Sequence, residues 1–157
     1  MKKLLVLTLF LFASTLFSQS LVLEISYYKT ENDGNRSTRL EKFSIIGSTS
    51  AYSIEYTGQT MPNEGNELKN CELSPLKVDE ILTSIKENKA AVNETFYGKE
   101  SIIGKGMIYL VINVKMVYDG TPYDILLDGD AGLVMGNKVY PRVIELIKDL
   151  RRIIKDC

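Results

Sequence analysis

The chain has 157 residues, a formal charge of −1, two cysteines, nine tyrosines, no tryptophan and no histidine. That length suits a single domain with a real core. The charge balance excludes the concentrated basic surface that nucleic-acid binding needs, and the missing histidine excludes Ser-His-Asp and Cys-His catalysis and His-containing zinc sites.

Met1-Lys2-Lys3 is a short basic start, Leu4 to Phe12 is apolar apart from Thr8, and Ser18-Gln19-Ser20 follows as a small polar segment. This is the three-part pattern of a bacterial-style signal peptide, with an apolar stretch too short to span a membrane. Ser18 and Ser20 fit the −3 and −1 positions for cleavage after Ser20; cleavage after Ser18, with Leu16 at −3, is the competing site. Residues 1–20 carry two lysines and no acid, so their removal leaves 17 basic against 20 acidic groups, a charge of −3. The expectation is an exported protein, periplasmic or extracellular, with residues 21–157 as one domain and no later membrane span.

Leu21, Leu23, Ile25 and Tyr27 share one face of an alternating run and predict a first strand. Asn32-Asp33-Gly34-Asn35 is a turn. Leu40 to Ile46 is a second, less regular strand. After Gly47 to Ser50, the residues Tyr52, Ile54 and Tyr56 mark a third. Links this short imply an antiparallel meander. Residues 58–72 read as a long polar loop containing Gly58, Pro62 and Gly65.

Ser74 then predicts a helix N-cap, with Pro75 at the first position and Leu73 and Val78 in the hydrophobic-staple positions. Val78, Ile81, Leu82 and Ile85 give the buried face, and the helix ends near Asn88 or Ala90. Residues 91–105 are ambiguous, a loop with Phe96 and Tyr97 or a short edge strand. Met107 to Tyr118, apolar on both faces, predicts a central strand. Asp119-Gly120 signals a hairpin into a fifth strand, Tyr123 to Leu127. In the last helix, opened by Pro141, the stripe Val143, Leu146, Ile147, Leu150, Ile153 or Ile154 continues to Cys157. The predicted order βββ-α-ββ-α gives a two-layer α+β fold of about five mainly antiparallel strands, with both amphipathic helices on one face. The other face is left for solvent or a partner.

Two cysteines in an exported chain predict one bridge, Cys71 to Cys157. The run Asp128-Gly129-Asp130-Ala131-Gly132 invites a metal reading. As a calcium loop from Asp128 it needs Glu at the twelfth position and Gly at the sixth, where Val139 and Leu133 stand. A turn is expected instead, with Gly129 and Gly132 at unusual backbone angles and both aspartates accepting local N–H bonds. Asp128 and Asp130 remain the weak metal alternative. No catalytic motif, phosphate loop or cofactor motif appears, so the residues point away from catalysis and to no cofactor.

Tyrosine offers a large rigid face and one hydroxyl, which suits binding surfaces. Tyr28 and Tyr109 oppose the apolar faces of their strands and are the expected outward pair. The two long loops add Asn63, Glu64, Phe96 and Tyr97 as candidate binding residues. On the last helix Lys148, Arg151, Arg152 and Lys155 read as a solvated basic stripe relieved by Glu145, Asp149 and Asp156. The function expected is therefore a non-catalytic binding protein, inhibitor- or immunity-like, whose partner is another exported protein or a cell-envelope component. The alternatives are a carboxylate-based hydrolase or calcium-dependent protein centred on Asp124, Asp128 and Asp130, and a structural assembly subunit using an exposed strand edge.

Overall fold

The computed structural model describes residues 21–34, 36–48, 51–62, 65–98 and 106–157. The leader expected at 1–20 and the candidates Asn63 and Glu64 lie outside the described residues. Seven strands form one mixed sheet: β1 (Val22–Asn32), β2 (Arg36–Ser48), β3 (Ala51–Met61), β4 (Glu67–Leu73), β5 (Glu94–Tyr97), β6 (Met107–Tyr118) and β7 (Thr121–Asp130). Three helices accompany them: α1 (Pro75–Glu87), the short α2 (Ala131–Gly136) and α3 (Tyr140–Lys155). The strand order is β4-β3-β2-β1-β6-β7-β5. All pairings are antiparallel except β5 with β7.

The fold is thus sheet-rich α+β, with two strands more than expected. The loop read at 58–72 is instead the end of β3 and the whole of β4. This strand pairs on one side only and exposes Leu68, Asn70 and Glu72, so it lacks the apolar alternation that betrays a strand with a buried face. β5 is four residues long and parallel to β7. It sits at the sheet edge beyond β7, parallel to β7 and so opposite in direction to β6. The expected central strand, β6, is interior, but β1 occupies the middle of the sheet.

Alternation decides which side is buried. Leu23, Ile25, Phe43, Ile45, Ile54, Ile112, Val114, Ile125 and Leu127 all point to the helix side and are essentially fully buried. Each such aliphatic burial contributes about 1.5–3 kcal/mol. Against them lie Val78, Ile81 and Ile85 of α1 and Val143, Leu146, Ile147, Leu150, Ile153 and Ile154 of α3. The caps match the sequence: the Ser74 hydroxyl accepts from the Lys77 N–H at 3.4 Å, and Asn88 closes α1. The two long helices are joined by Ser84, buried on α1, which donates to Asp149 of α3 at 2.6 Å. Asp119 (φ 51°) and Gly120 (φ 72°) form the two-residue turn between β6 and β7.

The aspartate–glycine run is part strand, part cap. Asp128 to Asp130 complete β7, and the Asp130 carboxylate caps α2 by accepting from the Gly132 N–H at 2.9 Å. Gly132 is helical, contrary to the unusual angle expected of it, because the cap sets the helix going one residue earlier. Gly129 does take a positive φ of 147°, and a Cβ there would stand 2.5 Å from the Gly98 Cα at the end of β5. Gly129→Ala therefore combines backbone strain with a backbone clash, and a loss of about 1–3 kcal/mol is expected. A urea-unfolding midpoint equal to that of the wild type would contradict this contact.

Cys71 on β4 and Cys157 after α3 stand at disulfide distance, with Cα atoms 6.1 Å apart. Among the described residues, no helix is long and apolar enough to cross a membrane. Both features are compatible with an exported protein.

Candidate functional site

The helices leave the even-numbered side chains of β1 on the other side of the sheet, and three tyrosines gather there. Tyr28 stands opposite Val111 of β6, and Val111 stands opposite Asp128 of β7. Asp128 in turn pairs with Tyr97 of β5. Tyr109 lies two residues before Val111, so it shares this face, and its hydroxyl donates to the Asp128 carboxylate. Four strands thus bring Tyr28, Tyr109, Asp128 and Tyr97 into one band. Tyr97 is the most open, with 69% of its surface exposed. Thr30 lies close to the Tyr28 phenol and, by hydrogen bonding, holds it below the ordinary tyrosine value; Thr38 and Arg36 add to this.

Two rows along the same face, Glu24, Lys115 and Asp124 stand in register across β1, β6 and β7. With Val22, Val117 and Pro122 they line a shallow cavity of about 530 Å³. The backbone N–H of Asp124 donates to the Asn93 side chain at 2.8 Å, which fixes the approach to β5.

Phe96 is placed elsewhere. It pairs with Leu127, turns to the helix side and packs against the core. Asp128 and Asp130 each have a protein donor, Tyr109 and the Gly132 N–H respectively. Among the described residues, no group of three or more acidic or cysteine side chains is arranged to hold a metal ion.

A second polar cluster lies on the helix side, and sequence reasoning missed it. Glu41 of β2 falls in the phase of Phe43 and Ile45 and is 1% exposed. Its Oε1 accepts from Arg39 Nη2 at 3.0 Å, the Tyr56 hydroxyl at 3.2 Å and Arg151 Nε at 3.2 Å, and its Oε2 accepts from Arg151 Nη2. Gly58 makes room for this, since a Cβ there would stand 2.4 Å from the Tyr56 hydroxyl. Burial alone would push the Glu41 carboxyl up. Hydrogen bonding and charge from Arg151, then from Arg39, outweigh it and hold the group below the ordinary glutamate value. The Tyr56 phenol moves the other way, pushed up to about 12 by burial and then by the Glu41 charge.

This corrects the reading of the basic stripe on α3. Lys148 pairs with Glu145, and Arg152 with Asp149, as a solvated face should. Arg151 instead turns inward to Glu41, with its guanidinium 5.2 Å from the centre of the Tyr27 ring. The signal available in the sequence was a charged residue standing in the apolar phase of β2.

No protein-family model, curated protein or solved structure matches this chain.

Proposed function

We propose that the protein is an exported, non-catalytic binding protein that presents the helix-free face of its sheet to another exported protein or a component of the cell envelope. The observation that carries this reading is the band of Tyr28, Tyr109 and Tyr97 around Asp128. Rigid aromatic rings with one oriented hydroxyl suit the centre of a protein interface, and strands hold them with little entropy left to lose on binding. The neighbouring depression between Val22 and Pro122 offers an apolar seat beside them. An inhibitor- or immunity-type role is the concrete form of this reading, since it requires contact and no chemistry.

The test uses mature protein immobilised and exposed to the native envelope and culture fluid. The double variant Tyr28→Ala/Tyr97→Ala is compared with wild type and with Leu76→Ala, which removes an exposed side chain on α1 away from the sheet face. A partner retained by wild type and Leu76→Ala should be lost from the tyrosine variant, with affinity falling roughly 30-fold for each hot-spot side chain worth about 2 kcal/mol. Equal retention by all three proteins would end the proposal.

A further inference from the structure

A polar hollow of about 400 Å³ opens on the helix side, between the far ends of β1 to β3 and α3. Tyr27, Lys29, Glu31, Arg39, Thr60 and Arg151 line it. Its charges are placed in an unusual way. Lys29 stands directly opposite Arg39 in the β1–β2 pairing, and Arg39 directly opposite Thr60 in β2–β3. Like charges in directly opposed positions destabilise a sheet, and Arg151 adds a third cation from above.

The protein's own acids relieve this only in part. Glu41 accepts four hydrogen bonds, from Arg39, Tyr56 and twice from Arg151, so its acceptor capacity is filled. It engages one nitrogen of Arg39 and two of Arg151. Each guanidinium carries five N–H donors, so both arginines keep donors beyond those given to Glu41. Lys29 pairs with Glu31 at the rim, where 41% of the Glu31 side chain is exposed. The hollow therefore sets three cations against two carboxylates, Glu31 at its wall and Glu41 buried behind it, a local excess of one positive charge in a chain whose formal charge is −1.

Glu41 also fixes the two guanidiniums from behind, and the Tyr27 ring lies against Arg151. Two arginines locked in place with donors to spare, beside a lysine, make a preorganised receptor for a carboxylate or phosphate. We propose that this hollow binds a small organic anion bearing one of those groups, with Lys29, Arg39 and Arg151 as its cationic contacts. The site is on the opposite side of the sheet from the tyrosine band and is independent of the proposed protein interface.

Titration calorimetry and thermal unfolding with citrate and with inorganic phosphate, each at matched ionic strength against chloride, test it. At least one of the two should bind at a single saturable site and raise the melting temperature beyond chloride. Saturation by citrate alone assigns a carboxylate ligand, by phosphate alone a phosphate ligand, and by both the shared chemistry. Lys29→Gln leaves the Glu41 contacts intact and should weaken binding about tenfold, whereas Tyr28→Ala/Tyr97→Ala should bind as the wild type does. Failure of both anions to exceed chloride, or undiminished binding by Lys29→Gln, overturns the proposal.

Discussion

Replacing Glu41 with alanine is expected to lower folding stability by about 1–3 kcal/mol, the cost of losing a buried carboxylate's charge-assisted hydrogen bonds while its arginine partners stay partly open to water. Glu41 is the point where β2, β3 and α3 meet, and its loss leaves Arg151 and Arg39 without their shared acceptor. Urea denaturation near neutral pH measures the effect. Arg151→Ala should show the larger loss, about 3–5 kcal/mol, because it leaves the buried Glu41 carboxylate without its main partner, and the double variant Glu41→Ala/Arg151→Ala should lose less than the sum, because the two side chains are in one network. An apolar replacement of Glu41, Arg39 and Arg151 together should recover much of the stability, since desolvation offsets most of what such networks contribute. The pH dependence has a definite sign. The folded-state pKa of Glu41 lies below its ordinary value of 4.5, so its contribution is complete above that value. It is lost as the pH falls through the lower folded-state value. Wild type should therefore lose stability in that acid window by an amount that Glu41→Ala does not. Parallel acid profiles for the two proteins would refute the assignment.

Removing the Cys71–Cys157 link is the second large effect. The two residues are 86 positions apart, and closing a loop of that size corresponds to about 4–5 kcal/mol in the chain-entropy model, an upper figure where the denatured chain retains structure. Cys71→Ser, or reduction under native conditions, should lower the melting temperature accordingly. Alkylation without reductant should leave the mass unchanged, and after reduction it should add two labels, one for each cysteine. Labelling of both thiols in the unreduced protein would refute the bridge.

The parts legible in the sequence were those in which each segment reports its own environment. β1 and β3 announce themselves by apolar alternation, β6 by a long run apolar on both faces, α1 by Ser74, Pro75 and its stripe, and the β6–β7 turn by Asp119-Gly120. Tyr28 and Tyr109 were placed on the free face by the same alternation, because a residue opposite a buried phase must point away from it. β4 was illegible because an edge strand with polar residues on its open side has no reason to alternate strongly. β5 is too short to show a period. Tyr97 joins the band only through a parallel pairing with β7, and Phe96 leaves it for the same reason, since register decides which of two adjacent residues faces the helices. The Glu41 network was hidden in another way. Its partners are two positions away at Arg39, 15 at Tyr56 and 110 at Arg151, and no local pattern connects them.

That last separation bears on how the chain comes together. The first three strands are local hairpins and can assemble early, but the Glu41 carboxylate built into them gains two of its four donors only from a side chain 110 positions further on, and the bridge joins residues 86 apart. Until α3 docks, the helix side of the sheet has α1 as its one long helix, and Glu41 lacks half its donors. A chain so arranged withholds its final set until two segments far apart in its length have met.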